Sequence, residues 1–273
     1  MKKKTIEESI EKRCEKINKL QGKLADKFDM EDIHQLRLQV KKIRATFRLL
    51  NENDHQEKIR LPRRLKDLYL SVGMIRNIQL LRDKISKEAS NPNDAIVLAT
   101  LTQLNFDEDG WKEKANKYSK GKKVIKKEKI LKRIDTAVDE KTVKKFARKK
   151  LSEMQAQGSI DFSDNALHNV RKILKDFTYT WPHIEKYATS AMPIALRTQD
   201  KVKSLTEMIG DFQDTRVFLD ILHVGTRIEQ PTQNGSAAME NFKYNLFQQK
   251  RKMKKQIQNR LNHINLQAAT RSN

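Results

Sequence analysis

The chain has 273 residues, room for one large domain or two modest ones, and its 57 Lys+Arg against 35 Asp+Glu give a formal charge of +22. That surplus favours polyanionic partners: nucleic acid, polyphosphate or an anionic membrane surface. A single Cys excludes an intrachain disulfide, no run of 18 or more apolar residues offers a membrane span, and no apolar stretch follows the Lys-rich N-terminus; a soluble, cytoplasmic protein without membrane insertion is expected.

Eight Gly and five Pro leave few turns, so the expected elements are long helices. Residues 5–27 form a first amphipathic segment, and Cys14 falls on its Ile6, Ile10, Ile17, Leu20 stripe, a packing position. Asp32 reads as the cap of a second helix over 33–51. A third begins after Pro62 and runs past Gly73 to about residue 87. Asn91-Pro92-Asn93 is a turn, and Asp94 starts a helix expected to end near Asp109-Gly110. Further helices are expected over 112–135, 139–157, 164–181 and 199–225, then a loop over 231–236 and a long final helix. No period-two strand appears, and the class is all-α.

One string recurs. His34-x2-Arg37-x3-Lys41 returns as His168-x2-Arg171-x3-Lys175, each inside the same apolar frame. Ile33, Leu36, Val40, Ile43 and Phe47 match Leu167, Val170, Leu174, Phe177 and Trp181. At about 100° per residue, His34, Arg37, Lys41, Arg44 and Arg48 share a stripe roughly 80° wide, separate from the apolar one. A second correspondence sets Gly73 over Gly210, Arg64 over Lys201, Lys66 over Lys203 and Ile75 over Phe212. The His copies lie 134 residues apart and the Gly copies 137, which suggests a tandem duplication. The expected product is two similar four-helix bundles, 5–136 and 137–267, related by a pseudo-two-fold axis within one unit spanning 1–273. Gly73 and Gly210 read as sites of a close helix crossing or a kink, not of ligand contact.

The duplicated His-x2-Arg-x3-Lys helix, with the later Leu/Val-Gly-x2-Arg/Gln-Asn/Asp segment, resembles the CHAD domain, the conserved histidine α-helical domain. The resemblance covers roughly residues 5–265. It implies paired four-helix bundles and a basic central surface that binds inorganic polyphosphate; holding such a polymer needs cations at short intervals and no catalytic group or cofactor. The ligand-facing candidates it implies are His34, Arg37, Lys41 and Arg44 in one copy and His168, Arg171, Lys172 and Lys175 in the other. Arg48 joins them by its place on the stripe, and Arg64, Lys66, Arg76, Lys201 and Lys203 are secondary candidates. Polyphosphate granules and polyphosphate-metabolising enzymes are the further partners this implies. The copies differ: Arg76-Asn77 follows one glycine and Gln213-Asp214 the other, and Thr178 stands where the first copy has Arg44.

The alternatives are weaker on the residues. Phosphotransfer to a lone His lacks a nearby carboxylate, and the neighbours of His34 and His168 are cations, unsuited to a metal. There is no Gly-rich phosphate loop. Nucleic-acid binding is the main rival: Arg76, Asn77, Gln79 and Arg82 could pass for a helix reading base edges, and the sequence-independent form is the stronger version of it. Against it stand Asp211 and Asp214 in the second copy and the want of aromatics among the basic stripes. The stretch 112–150 carries 17 Lys+Arg against 5 acids and reads as a solvated face or an electrostatic funnel.

Overall fold

The helical periodicity resolves, in a computed structural model, into nine α-helices among the described residues, which are 3–135, 137–160, 162–223 and 237–269. They are α1 (Lys3–Asp26), α2 (Met30–Leu50), α3 (Arg63–Glu88), α4 (Ala95–Ser119), α5 (Lys127–Leu131), α6 (Glu140–Ile160), α7 (Asp164–Ala191), α8 (Gln199–Ile221) and α9 (Ala237–Ala269). A 3₁₀ turn, Ile194–Leu196, precedes α8. No strand occurs among the described residues; the fold is all-α.

Caps and breakers set several boundaries. Asp94 caps α4 as expected, accepting from the Ile96 and Val97 amides at 2.9 and 3.3 Å. At α2 the cap is Asp29, not Asp32: Asp29 accepts from the Glu31 and Asp32 amides, while Asp32 pairs with Lys23 of α1 at 3.0 Å. Gly110 does not end α4. Buried Ala115 and the partly buried Trp111 keep the helix packed beyond it, outweighing a glycine cost of about 1 kcal/mol. The helix expected over 112–135 is instead the tail of α4, a loop and the single turn α5. Lys120 is extended there and Gly121 adopts φ +83°, which breaks the helix. Pro182 does not end α7, whose core face continues through Trp181 and Ile184. The expected 231–236 loop lies outside the described residues.

Helices adjacent in sequence pack together, α1 on α2, α2 on α3 and α3 on α4, then α6 on α7, α7 on α8 and α8 on α9. Across the middle, α2 packs against α7 and α3 against α8. The apolar residues form two clusters, each fed by both halves of the chain. The larger joins α1, α2, α6, α7, the early turns of α3 and α8, Ala115 of α4, Ile130 of α5 and the later turns of α9. The smaller joins the later turns of α3 and α8 with α4 and α9. Phe47, Phe177, Trp181 and Phe212 are all buried in the larger one, as is Cys14, whose thiol is pushed up to about 12 by that burial. Burying both apolar stripes turns the cationic stripes of α2 and α7 toward the α2/α7 seam, flanked by α3 and α8.

Candidate functional site

Lys41 of α2 and Lys175 of α7 meet across this seam. Burial pushes the Lys41 ammonium down to about 6, helped by Lys175, Arg37 and Arg171 and opposed by Asp214. Lys175 falls to about 8, from burial, then Arg171 and Arg37, against Asp214 and a hydrogen bond with Lys41. A neutral Lys41 amine is the acceptor such a bond requires, so the two lysines share one charge more readily than they carry two.

The two arginines are seated alike. Arg37 Nη1 donates to the Tyr69 carbonyl at 2.8 Å and its guanidinium lies 4.4 Å from the Tyr69 ring centroid. It also fills the space over Gly73, where a Cβ would come within 2.1 Å of Nη1. Arg171 lies over Gly210, whose Cβ would meet its Nη2 at 3.4 Å. The glycines therefore make room for the arginines of the neighbouring helix, a more specific role than close crossing. The buried Arg171 Nε–H has no hydrogen-bond partner, a cost of about 1–3 kcal/mol that packing alone does not explain. Gly73→Ala is expected to leave stability within about 1 kcal/mol, since helix propensity offsets the shift of a flexible side chain. It should nevertheless unseat Arg37 and weaken anion binding more than Gly210→Ala, with thermal melts and a binding titration as the two readouts.

The histidines sit unequally. His34 is lowered from its usual range by burial first, then by Arg76, with Lys41 and Lys175 adding and Glu31 opposing. His168 is lowered by burial, then Lys172, while its Nδ1 lies 3.3 Å from Gln213 Oε1, an interaction that works upward. Arg76 and Gln213 occupy matching places after the two glycines, so that departure between copies decides what each imidazole faces. Arg76 is itself half-buried and donates to the Met30 carbonyl at 2.9 Å.

Several expected residues are committed elsewhere. Arg48 donates to both carboxylate oxygens of Asp176 at 2.6 and 2.8 Å. Asp176 is 4% exposed, and burial raises its pKa despite Arg48. Arg48→Ala is expected to cost about 2–3 kcal/mol at neutral pH by leaving that carboxylate with Lys150, at 4.0 Å, and the weaker influence of Arg44. The loss should shrink on acidification as Asp176 takes up a proton, and denaturant unfolding at several pH values checks it. Lys172 is exposed beside a cavity of about 320 Å³ that also holds Glu153 and Asp176, on the α6 side. Arg64 donates to the Tyr118 and Lys120 carbonyls at 3.1 and 2.6 Å, tying α3 to the end of α4. Lys201 reaches the Ile194 carbonyl at 3.2 Å, and Lys203 lies 3.9 Å from Glu207, both exposed.

The arrangement also contains groups that sequence reasoning passed over. Tyr69 accepts from Arg37 and has Arg44 at 5.7 Å over its ring. Tyr179, four residues after Lys175, has that ammonium 5.9 Å from its ring, and burial lifts its phenol to about 12. Asp214 is the carboxylate that favours the charged forms of Lys41, Lys175 and Arg76 against the burial and the cations that depress them. The spacing of four from Gly73 and from Lys175 was the available signal for the tyrosines. No group of three or more His, Cys, Asp or Glu suited to a metal occurs among the described residues, and no described helix is long and apolar enough to cross a membrane.

No curated protein matches the chain. The family model of the CHAD domain matches residues 8–223, from α1 to the end of α8, and so includes every residue of the seam. With the duplicated motif and the helical fold, this match shows that the chain belongs to the CHAD domain family.

Proposed function

We propose that the protein binds inorganic polyphosphate at the α2/α7 seam and does not alter it chemically. CHAD domains are associated with polyphosphate-related proteins, which supports the polymer's identity. The observation that carries the reading is the convergence of Arg37, Lys41, Arg171 and Lys175, two cations from each half of the chain, close enough that both arginines depress both lysines. Such crowding is unfavourable without an anion, and clustered perturbed groups favour a functional site over a solvated surface. A linear phosphate polymer suits the spacing, because residues three or four apart on a helix present cations about 5–6 Å apart. Arg37 and Arg171 would engage phosphate oxygens through planar forks, and the lysines as point charges. The site's cations outnumber the carboxylate among them, Asp214, a balance that suits holding a phosphate chain.

This reading takes 5–136 and 137–267 as duplicates about a pseudo-two-fold axis. The repeated packing order and the two Arg-over-Gly seats support it. A cytoplasmic setting, with granules or polyphosphate-metabolising enzymes as further partners, belongs to the same proposal. Competition at fixed salt between long-chain polyphosphate, short oligophosphates, single-stranded DNA and RNA tests it. Polyphosphate should win by a large factor; parity with nucleic acid would overturn the reading in favour of a general polyanion binder. Incubation with labelled polyphosphate should leave chain length unchanged, and shortening would make the protein an enzyme.

A further inference from the structure

Beyond the seam, the stripe of α2 leads into two adjoining cavities. The first, about 340 Å³, presents Arg44, Arg48, Arg60 and Lys66 over a floor that includes Phe47 and Tyr69. The second, about 450 Å³, presents Arg60, Arg64, Lys123, Lys126, Lys129 and Arg133. They share Ile59, Arg60 and Leu61, so Arg60 stands at their junction. Among the described residues lining either cavity there is no carboxylate. Arg48 keeps its bond to Asp176, Arg64 its carbonyls, and Arg133 a 3.7 Å approach to Glu57. Arg60, Lys66, Lys123, Lys126 and Lys129 are exposed.

Both walls are held in place by helix-borne amides. The buried Gln21 side chain donates to the Ser119 and Lys122 carbonyls at 3.0 and 3.1 Å and accepts from the Val124 amide at 3.0 Å. Asn18 donates to the Ile125 carbonyl at 2.9 Å. On the other wall, Asn51 accepts from the Ile59 amide at 2.8 Å and donates to its carbonyl at 3.0 Å. The backbones carrying Arg60, Lys123 and Lys126 are thus fixed, and a preorganised row of charges gives up less entropy on binding than a mobile one. Toward α6 the lining changes: Thr178 replaces Arg44, and the cavity beside Lys172, which shares Arg48 with the first, sets Asp176 and Glu153 against Arg48 and Lys150, so those two cations are already paired.

We propose that the anion site continues from the α2/α7 seam along a one-sided track, past Arg44 and Arg60 to Lys123, Lys126 and Lys129, where the outer part of a long phosphate chain is held. The inference rests on the polyphosphate reading and assigns part of the basic 112–150 stretch a contact role. Lys41 to Arg48 alone covers about 10 Å of helix axis, so a chain of a few phosphates can fill the seam without reaching the loop.

The test is a Lys123→Ala, Lys126→Ala, Lys129→Ala triple variant, titrated with tripolyphosphate and with a chain of about a hundred phosphates, at several salt concentrations. Arg251→Ala, Lys252→Ala, Lys255→Ala is the charge-matched control on α9, which packs on α8, α6 and α4. All six side chains are exposed, and thermal melts of both variants check that they fold. The track predicts at least about a ten-fold loss for the long chain, a shallower salt dependence, tripolyphosphate affinity within about two-fold of wild type, and a control close to wild type. An unchanged long-chain affinity, equal losses for both ligands, or an equal loss in the control would overturn it. Matched losses for single-stranded DNA would make the track a general polyanion surface and overturn its assignment to polyphosphate. Failure of the wild type to bind either phosphate ligand would instead overturn the function reading, and the track with it.

Discussion

Replacing Arg37 and Arg171 together with Ala is expected to lower affinity for a short oligophosphate by at least about a hundred-fold, because each removes a charge-assisted contact worth roughly 1.5–3 kcal/mol. The two losses should not simply add, since both arginines act on the same lysines and on one ligand. Lys122→Ala with Lys126→Ala removes the same formal charge from the α4–α5 loop and should change short-chain affinity by less than about three-fold, as exposed cations contribute little individually. The fold should survive the double arginine change. Arg37 gives up one bond to the Tyr69 carbonyl, and Arg171 leaves a place where its Nε–H had no partner. A second readout comes from Lys41, whose amine should regain basicity once two of the cations depressing it are gone. Equal losses from the arginine pair and the loop pair would mean that total charge, not a defined seam, governs binding.

The helices that build the seam were readable because their information is local. The apolar frames of α2 and α7, the Asp94 cap and the glycines at 73 and 210 all follow from patterns a few residues long. What the sequence hid is long-range. Arg48 looked like one more member of the stripe, yet its partner Asp176 lies 128 residues away, on the face of α7 adjoining the duplicated motif. Arg64 is spent on carbonyls more than 50 positions on. The lysine-rich run after α4 had helical periodicity, but Gln21, about a hundred residues earlier, supplies the hydrogen bonds that fix it as a loop. Gly110 and Pro182 show the same override in reverse, where packed neighbours carry a helix through a residue that locally argues against it. The cations of the motif alone would place both histidines below their usual range. The direction agrees, but burial comes first among the causes, and burial is not a property of the motif.

Lys41 carries the second large effect. In the unliganded protein its amine titrates at about 6, so at pH 7.5 it is mostly neutral, while Lys175, at about 8, is mostly charged. The groups facing Lys41 are Lys175 and Arg171 from α7, Arg37 from α2 itself, and Asp214 from α8, and three of these four are cations. A bound phosphate chain reverses that field and favours the ammonium, so binding near pH 7.5 should take up close to one proton. Affinity should then fall as pH rises above about 6, by up to about ten-fold per unit while that proton is being taken up. Stability of the empty protein runs the other way. The unfolded chain keeps Lys41 charged up to the ordinary lysine value of 10.5 and the folded chain only to about 6. The unfolded state thus binds more protons between these values, and the Lys41 penalty, full below about 6, is relieved as pH rises. Lys41→Met should therefore stabilise the unliganded protein at pH 6, by about 1–2 kcal/mol or roughly 3–6 °C, and flatten its stability against pH. It should also abolish most of the proton uptake seen by calorimetry in buffers of different ionisation enthalpy. His34→Gln with His168→Gln is the companion variant, since both imidazoles lie below 6.5 and are neutral at pH 7.5. If that pair loses the uptake while Lys41→Met retains it, the proton belongs to the histidines, and Lys41 is a buried amine that the ligand does not recharge.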